Sequence, residues 1–305
     1  MPRRRRRPGC AGRPDVTEVA ALLPPDVLAR LERMQLGTRR RLAGRFAGEH
    51  RSPRRGSSLD FADYRDYHPG DDFRRIDYSV YARTDQLFIR LFDAEDDASL
   101  RLVVDTSGSM GFHGKLRAAA RLAGALGFVG LVRRDVVSLH TVPGAARPRR
   151  FTGRHATAPL LDALARLEAS GGSDLDAAAG QVLAHTGPPG ITVLFSDLMS
   201  PSWESAIERL PARGGDVAVV HVVARDELEP DLFGDLELED AETGEQIAVS
   251  LSASARARYV EATTAWLDGV AARCRRRGVA YSRVLADDDV ADVLFRGWQR
   301  EGLLR

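Results

Sequence analysis

A short apolar run that ends in oxygen-bearing side chains constrains the fold of this chain more than any other feature. Residues 100–104, Leu-Arg-Leu-Val-Val, have the composition of a buried strand, and helical spacing of apolar residues begins near Lys115. Between them lie Asp105, Ser107 and Ser109. We therefore predict a strand, a tight loop and a helix of an open α/β sheet. The three side chains would lie beyond the carboxyl end of the strand, where ligands bind in such sheets.

The same alternation of apolar strand and amphipathic helix recurs along the rest of the chain. It predicts a three-layer, Rossmann-like α/β sandwich with a mostly parallel sheet between two layers of helices. A turn at 242–244 between two alternating segments predicts a β-hairpin inserted at about 228–250. The predicted strands are 100–104, 135–142, 149–152, 191–196, 216–223 and 279–285, and the predicted helices are 116–132, 158–167, 203–210, 254–277 and 290–300, with one more after the loop at 170–177.

Composition divides the 305 residues into three parts. Residues 1–24 are rich in Arg, Pro and Gly and lack apolar periodicity, which predicts a basic, disordered tail. Residues 25–97 are predicted to form an N-terminal extension, with an amphipathic helix over 26–36 and a strand over 87–92. Residues 98–305 are predicted to form the sheet domain.

Charge and cysteine content limit the classes of function. The net charge is +1, but the first 55 residues are basic and the remainder is acidic. The run Arg3 to Arg7 could contact nucleic acid or an anionic surface. However, Lys115 is the only lysine, so arginine is the usual cation of this chain and the run is less informative than it would be elsewhere. A solvated tail is therefore favoured, and binding of nucleic acid is not expected. Two cysteines give no disulfide framework, and we find neither a signal peptide nor an apolar run of about 20 residues, so a cytoplasmic protein is expected.

Two later segments are predicted to bring further oxygen atoms to the same edge of the sheet. Ser173 follows two glycines in a loop that runs into a helix, and Asp197 follows the apolar strand at 191–196. With the three side chains of the first loop they offer only oxygen, which suits Mg²⁺ or Mn²⁺. The alternatives are that the serines only cap helices, and that Asp174 replaces Ser173 as a ligand or acts as a first-turn acid.

The first loop resembles a known metal site. Residues 105–110 have the form D-x-S-x-S-M, which is similar to the metal-ion-dependent adhesion site of von Willebrand factor type A domains. In that site a threonine usually stands where Ser173 is found. The resemblance implies a type A-like fold in which the hydroxyl ligands usually bind the ion directly and one or both aspartates bind through water. The implied metal ligands are Asp105, Ser107, Ser109, Ser173 and Asp197.

A second stretch resembles a bacterial family more specifically. Residues 64–78 contain Tyr-Arg followed by His-Pro-Gly-Asp-Asp-Phe-Arg-Arg-Ile-Asp-Tyr, and Ala-Arg at 82–83 and the segment 87–90 come next. This pattern is similar to the signature of the family named domain of unknown function 58, and Tyr78 replaces a usual Trp. The resemblance extends from about Leu31 to the C-terminus.

The signature itself has two interpretations. Asp71, Asp72 and Asp77 near arginines such as Arg74 favour ion pairs that hold a turn at Pro69-Gly70. A partner-contact surface is the alternative, and a second metal site at Asp71 and Asp72 has no further ligand signal. The simplest role for the neighbouring histidine is that of a turn residue.

The family resemblance implies a metal-dependent protein-interaction module. A bound ion would keep a coordination position for an acidic side chain of a partner. Many members of the family are linked with MoxR-type AAA+ ATPases, which implies an adaptor role. A hydrolase is the alternative, but Ser107 lacks the preceding glycine of G-x-S-x-G, no histidine has a triad-like setting, and an aspartyl phosphotransferase would require an acid at 107. We therefore expect a binding protein and not an enzyme.

Overall fold

The computed structural model describes residues 22–37, 61–67, 76–92, 99–144, 147–184 and 190–305. These residues fall into two compact units. Residues 22–37 belong with 99–305 in the larger unit, and residues 61–67 and 76–92 form the smaller one. Residues 1–21 of the predicted basic tail lie outside the described residues. Leu22 and Leu23, at the end of that predicted disordered tail, are instead buried in the core of the larger unit. The predicted division at residues 25 and 98 stays a prediction.

The larger unit begins with helix α1, Pro25–Leu31. The predicted helix over 26–36 is therefore too long. Beyond Leu31 the backbone pairs with the C-terminus instead: the N–H of Gln35 donates to the Arg305 carbonyl at 2.7 Å, and the N–H of Gly37 donates to the Leu303 carbonyl at 2.8 Å. These pairings to a distant segment replace the local hydrogen bonds that would continue the helix.

The smaller unit contains two antiparallel strands and a helix. Strand β1, Phe61–Asp66, pairs with β2, Phe88–Phe92, and helix α2, Tyr78–Thr84, lies between them in sequence. The predicted strand at 87–92 is confirmed, whereas β1 and α2 were not predicted. Asp77 caps α2, because its carboxylate accepts two backbone N–H bonds of the first turn at 2.9 and 3.2 Å. The turn at 69–70 and the acids at 71–72 lie outside the described residues.

A six-stranded sheet is the centre of the larger unit. Its strands are β3 Ser99–Asp105, β4 Val136–Val142, β5 Arg149–Phe151, β6 Gly190–Ser196, β7 Asp216–Val223 and β10 Ala280–Leu285, and the predicted hairpin is formed by β8 Gly234–Glu239 and β9 Gln246–Leu251. The order in the sheet is β10-β7-β6-β3-β4-β5, and every neighbouring pair is parallel except β4 with the edge strand β5. This confirms the mixed α/β, Rossmann-like architecture with a mostly parallel sheet.

Helices cover both faces of this sheet. Two buried apolar clusters lie on opposite faces, because alternate side chains of a strand point in opposite directions. The helices are α3 Lys115–Val132, α4 Thr157–Ala165, α5 Leu175–Ala184, α6 Trp203–Arg209, α7 Arg225–Leu228, α8 Ala253–Arg276, α9 Val290–Asp292 and α10 Trp298–Glu301, the last two joined by a π-helical turn, Val293–Gly297. Helices α1, α3, α4 and the C-terminal segment, residues 290–304, cover one face, and α5, α6 and α8 cover the other.

Within the described ranges, none of the helices combines the length and the apolar character that crossing a bilayer requires. The cellular location expected from the sequence stays a prediction.

Candidate functional site

The candidate site lies at the carboxyl edge of the sheet, between its two central strands. Strand β3 ends at Asp105 and its neighbour β6 ends at Ser196. From β3 the chain crosses to β4 on one side, and β6 lies on the other side. A reversal of strand order of this kind opens a crevice beyond the strand ends, where α/β proteins place their ligands.

Hydroxyl groups surround the carboxylate of Asp105, which is fully buried. Its Oδ1 accepts hydrogen bonds from the N–H and the hydroxyl of Ser107 at 3.0 and 2.7 Å. Its Oδ2 accepts from the hydroxyls of Ser173 at 3.2 Å and Ser196 at 2.6 Å. The Ser107 and Ser109 hydroxyls are 3.2 Å apart. We call these five residues the oxygen cluster; four were predicted from the sequence, and Ser196 was not.

Backbone and side-chain bonds between loops hold the oxygen cluster together. The N–H of Gly108 donates to the carbonyl of Gly171 at 2.8 Å, which joins the first loop to the second. The hydroxyl of Ser200 donates to the carbonyl of Ser173 at 2.6 Å, which joins the second loop to the loop after β6. Three loops from distant parts of the sequence are therefore fixed relative to one another.

Asp174, the alternative ligand, caps helix α5. Its Oδ1 accepts from the N–H of Ala177 at 3.0 Å and from the hydroxyl of Ser202 at 3.1 Å. The bond from Ala177 is the main reason that the pKa of the Asp174 carboxyl is lowered. Asp174 therefore acts at the N-cap of α5, and the acid in the first turn of this helix is Asp176.

Asp197 lies beside the oxygen cluster but pairs with a cation. Its Oδ2 accepts a hydrogen bond from Lys115 Nζ at 2.7 Å, and the same ammonium group contacts Glu227 Oε1 at 2.5 Å. Lys115 has no exposed surface and the Asp197 side chain is 1% exposed. The only lysine of the chain is therefore a buried counter-ion at this site, a role that the sequence interpretation missed.

A neutral histidine holds the backbone of Asp197, in the loop that follows β6. Burial lowers the pKa of His221 to about 4, so the imidazole is uncharged at neutral pH. Its Nε2 lies 2.9 Å from the Asp197 carbonyl oxygen, and its Nδ1 lies 2.9 Å from the hydroxyl of Tyr281. A carbonyl only accepts, so Nε2 is the donor and Nδ1 accepts from the tyrosine. The backbone of Asp197 is thereby fixed.

The tip of the β8–β9 hairpin reaches the oxygen cluster. A Cβ atom built on Gly108 would lie 2.2 Å from the Ala241 carbonyl oxygen, and one built on Gly172 would lie 3.3 Å from Glu242 Oε2. The backbone N–H of Ser173 lies near enough to the Glu242 carboxylate to oppose the rise in the pKa of that group. Partial burial, followed by the nearby charges of the two site aspartates, raises the pKa of Glu242. The sequence had indicated only a turn at this position.

The charges and donor atoms of the site fit a hard cation. Burial, with a smaller contribution from the charge of Asp197, raises the pKa of Asp105. Asp197, Glu227 and Glu242 add three more carboxylates, and Lys115 supplies a single ammonium group. The excess of carboxyl groups over cations and the set of hydroxyl and carboxylate oxygens suit Mg²⁺ or Mn²⁺. Within the described residues, no group of three or more His, Cys, Asp or Glu side chains is placed to hold a metal ion, so a cation here would depend on the serines.

Comparisons with known proteins place the chain among uncharacterized relatives. The family described as "Protein of unknown function DUF58" matches residues 63–266. "Uncharacterized protein Rv1480" of Mycobacterium tuberculosis and "Uncharacterized protein Mb1516" of Mycobacterium bovis are each 30% identical over 292 residues, which is 92% of this chain and 92% of each relative.

Two solved structures are similar to the larger part of the chain. The conserved hypothetical protein BatB of Bacteroides thetaiotaomicron has a TM-score of 0.41 and 14% identity, covering 67% of this chain and 96% of its own. An aerotolerance-related membrane protein of Bacteroides fragilis has a TM-score of 0.40 and 16% identity, covering 67% of this chain and 98% of its own.

Proposed function

The chain belongs to the family described as DUF58, and on that premise we propose that it is a metal-ion-dependent protein-interaction module with a von Willebrand type A-like sheet domain. The proposed ion is Mg²⁺ or Mn²⁺. Asp105, Ser107, Ser109 and Ser173 are its proposed ligands, and Asp197 acts beside them, directly or through water. The proposal assigns these residues no catalytic role.

The convergence of hydroxyls on the Asp105 carboxylate is the observation that supports this proposal most. Asp105 and Ser107 form the buried floor of the oxygen cluster, whereas Ser109 and Ser173 are only partly buried. A cation held on this floor would face the side on which Ser109 and Ser173 lie. Because Mg²⁺ exchanges some of its water ligands, a carboxylate from another protein could complete its coordination on that side.

The proposed partner has an acidic side chain at its contact point. A MoxR-type AAA+ ATPase is the specific candidate, and its support is the family resemblance of the sequence. In this hypothesis the metal acts as a clamp between the adaptor and the ATPase. The strength of the clamp would depend on divalent cation concentration.

Capture of a purified MoxR-type ATPase from the same organism tests the proposed function. The immobilised full chain is expected to retain the ATPase in Mg²⁺ and to lose it in EDTA. Asp105→Asn, which removes the charge at constant shape, is expected to abolish capture in both buffers. Ser205→Ala is the matched control, since that exposed hydroxyl donates to Asp176 outside the site. Undiminished capture in EDTA or by Asp105→Asn would contradict the clamp.

A further inference from the structure

The β8–β9 hairpin covers the open side of the oxygen cluster. Ala241 lies against the backbone of Gly108, where a Cβ atom would be only 2.2 Å from the Ala241 carbonyl oxygen. Gly172 faces the Glu242 carboxylate in the same way, because a Cβ atom built on this glycine would lie 3.3 Å from Glu242 Oε2. The two glycines lie in the two loops that supply the serine hydroxyls. Both loops therefore leave room for the hairpin tip, residues 240–244.

Glu242 is the side chain that the hairpin tip directs at the site. It is partly buried, whereas its neighbours Ala241 and Thr243 are exposed. Its carboxylate lies near the backbone N–H of Ser173, and the hydroxyl of that serine donates to Asp105. One carboxylate of the chain thus already lies on the side of the cluster that a partner would approach.

The turn itself is held in one shape. Asp240 Oδ1 accepts the N–H groups of Glu242 and Thr243 at 2.9 and 2.7 Å. The backbone of Asp240 also bonds to Glu245 and Gly244, each at 2.8 Å. Glu242 is therefore presented by a folded turn, and its position does not depend on a disordered loop.

From these contacts we propose that Glu242 is an intramolecular ligand of the candidate metal site, which the hairpin tip must vacate before an acidic side chain of another protein can bind. This inference rests on the proposed function and adds its regulation. It also defines the external ligand by chemistry: a carboxylate on a turn or hairpin that can fit against Gly108 and Gly172.

An internal ligand of this kind lowers the apparent affinity for an external one. External binding requires the hairpin to be displaced, so the apparent dissociation constant equals the intrinsic constant divided by the fraction of molecules with the tip displaced. Removing the Glu242 charge raises that fraction. A variant at 242 should therefore bind an external carboxylate more tightly, although it has lost an acidic residue.

The test uses the full chain and a cyclic peptide that reproduces residues 236–249 as the external probe. Peptide binding is measured by fluorescence anisotropy at saturating Mn²⁺, for the unmodified chain, Glu242→Gln and Glu245→Gln. Glu245 lies on the same hairpin and is exposed, which makes it the matched control. We expect Glu242→Gln to bind the peptide at least about tenfold more tightly, which corresponds to about 1.4 kcal/mol, and Glu245→Gln to match the unmodified chain.

Gly108→Ala provides a second, independent variant. It retains every carboxylate but places a methyl group where the Ala241 carbonyl lies, so the hairpin tip must shift. We expect it also to bind the peptide more tightly. A peptide with Gln at the position of Glu242 is expected to bind none of these proteins.

The outcomes separate this inference from the proposed function. A Mn²⁺ titration of the same proteins, followed by electron paramagnetic resonance, shows whether the ion binds at all. If neither the unmodified chain nor Glu242→Gln binds Mn²⁺, the proposed function fails and the inference fails with it. If both bind Mn²⁺ and both bind the peptide equally, Glu242 is not an internal ligand, while the metal site remains. Tighter peptide binding by Glu242→Gln and Gly108→Ala supports the inference.

Discussion

Replacing Lys115 by Met tests whether the buried ammonium group is an essential counter-ion of this site. Met keeps the length of the side chain and removes the charge. In the native structure Nζ lies 2.7 Å from Asp197 Oδ2 and 2.5 Å from Glu227 Oε1. The exposed fractions are 0% for the Lys115 side chain, 1% for Asp197 and 17% for Glu227. The substitution would therefore leave two carboxylates facing one another with little solvent.

The size of the effect follows from this burial. Breaking a buried ion pair by removing one partner costs about 3–5 kcal/mol, because the other charge stays buried without compensation. In a domain of this size each kcal/mol shifts the melting temperature by about 2–4 °C. We thus expect Lys115→Met to unfold roughly 6–20 °C below the unmodified chain, by the same reasoning.

Urea denaturation and thermal melting measured by circular dichroism would test this prediction. Arg225→Met is the matched control, since Arg225 pairs with Asp287 at 3.1 Å while the two side chains are 64% and 58% exposed. An exposed pair contributes about 0–1 kcal/mol, so the control should change stability little. Equal stability losses in Lys115→Met and Arg225→Met would refute the reasoning that burial makes this ion pair important.

Two further predictions concern other buried polar groups of the site. The pKa of His221 is about 4 in the folded chain against 6.5 in its reference state. Protonation of this histidine therefore favours the unfolded chain, and about 3 kcal/mol of folding stability that is present above pH 6.5 is lost as the pH falls from 6.5 to 4. Urea titrations at pH 7 and pH 5 should show a smaller difference for His221→Gln than for the exposed control His155→Gln, and equal differences would contradict the assignment. Ser196→Ala removes a buried 2.6 Å bond to Asp105 and should cost about 1–3 kcal/mol. Ser205→Ala, which removes an exposed bond of the same length, should cost less, and the reverse order in urea titrations would oppose the prediction.

The sequence predicted the sheet because its strands are strongly patterned. Strands buried on both faces appear as continuous apolar runs, and a segment such as 216–223 matches β7 residue for residue. The predicted helices after these strands were also found, with bounds that differ by one or two residues in most cases. Burial on both sides leaves little choice of residue type, which makes the pattern easy to recognise.

The elements missed by the sequence interpretation depend on weaker signals. Strand β1 contains two aspartates and an arginine, and pairing with β2 stabilises it as a strand. Helix α2 has only seven residues, several of them poor helix formers, and its one local signal was Asp77 at the N-cap. Helix α1 was predicted too long because Leu36 continues the apolar spacing while its backbone pairs with Leu304.

The part of the candidate site that lies at the ends of strands was predicted from the sequence. Asp105 and Asp197 each end an apolar run, but Ser196 is the last residue of its strand and gave no separate signal. One feature of the sequence distinguishes Lys115, which is the only lysine in an arginine-rich chain. This is a feature of composition, and it does not indicate where the side chain lies in the fold. Glu242 lies 137 residues after Asp105 in the chain. Its approach to the site depends on how the hairpin folds back, which residue spacing does not reveal.

The proposed function depends on the binding of one divalent cation by the oxygen cluster. Isothermal titration of the full chain with Mn²⁺, repeated for Asp105→Asn and Ser107→Ala, measures it most directly, with Ser205→Ala as control. We expect one Mn²⁺ per chain for the unmodified protein and the control, and affinities lower by roughly 10- to 100-fold in the two site variants. No Mn²⁺ binding by the unmodified chain, or equal binding by Asp105→Asn, would contradict the proposed function.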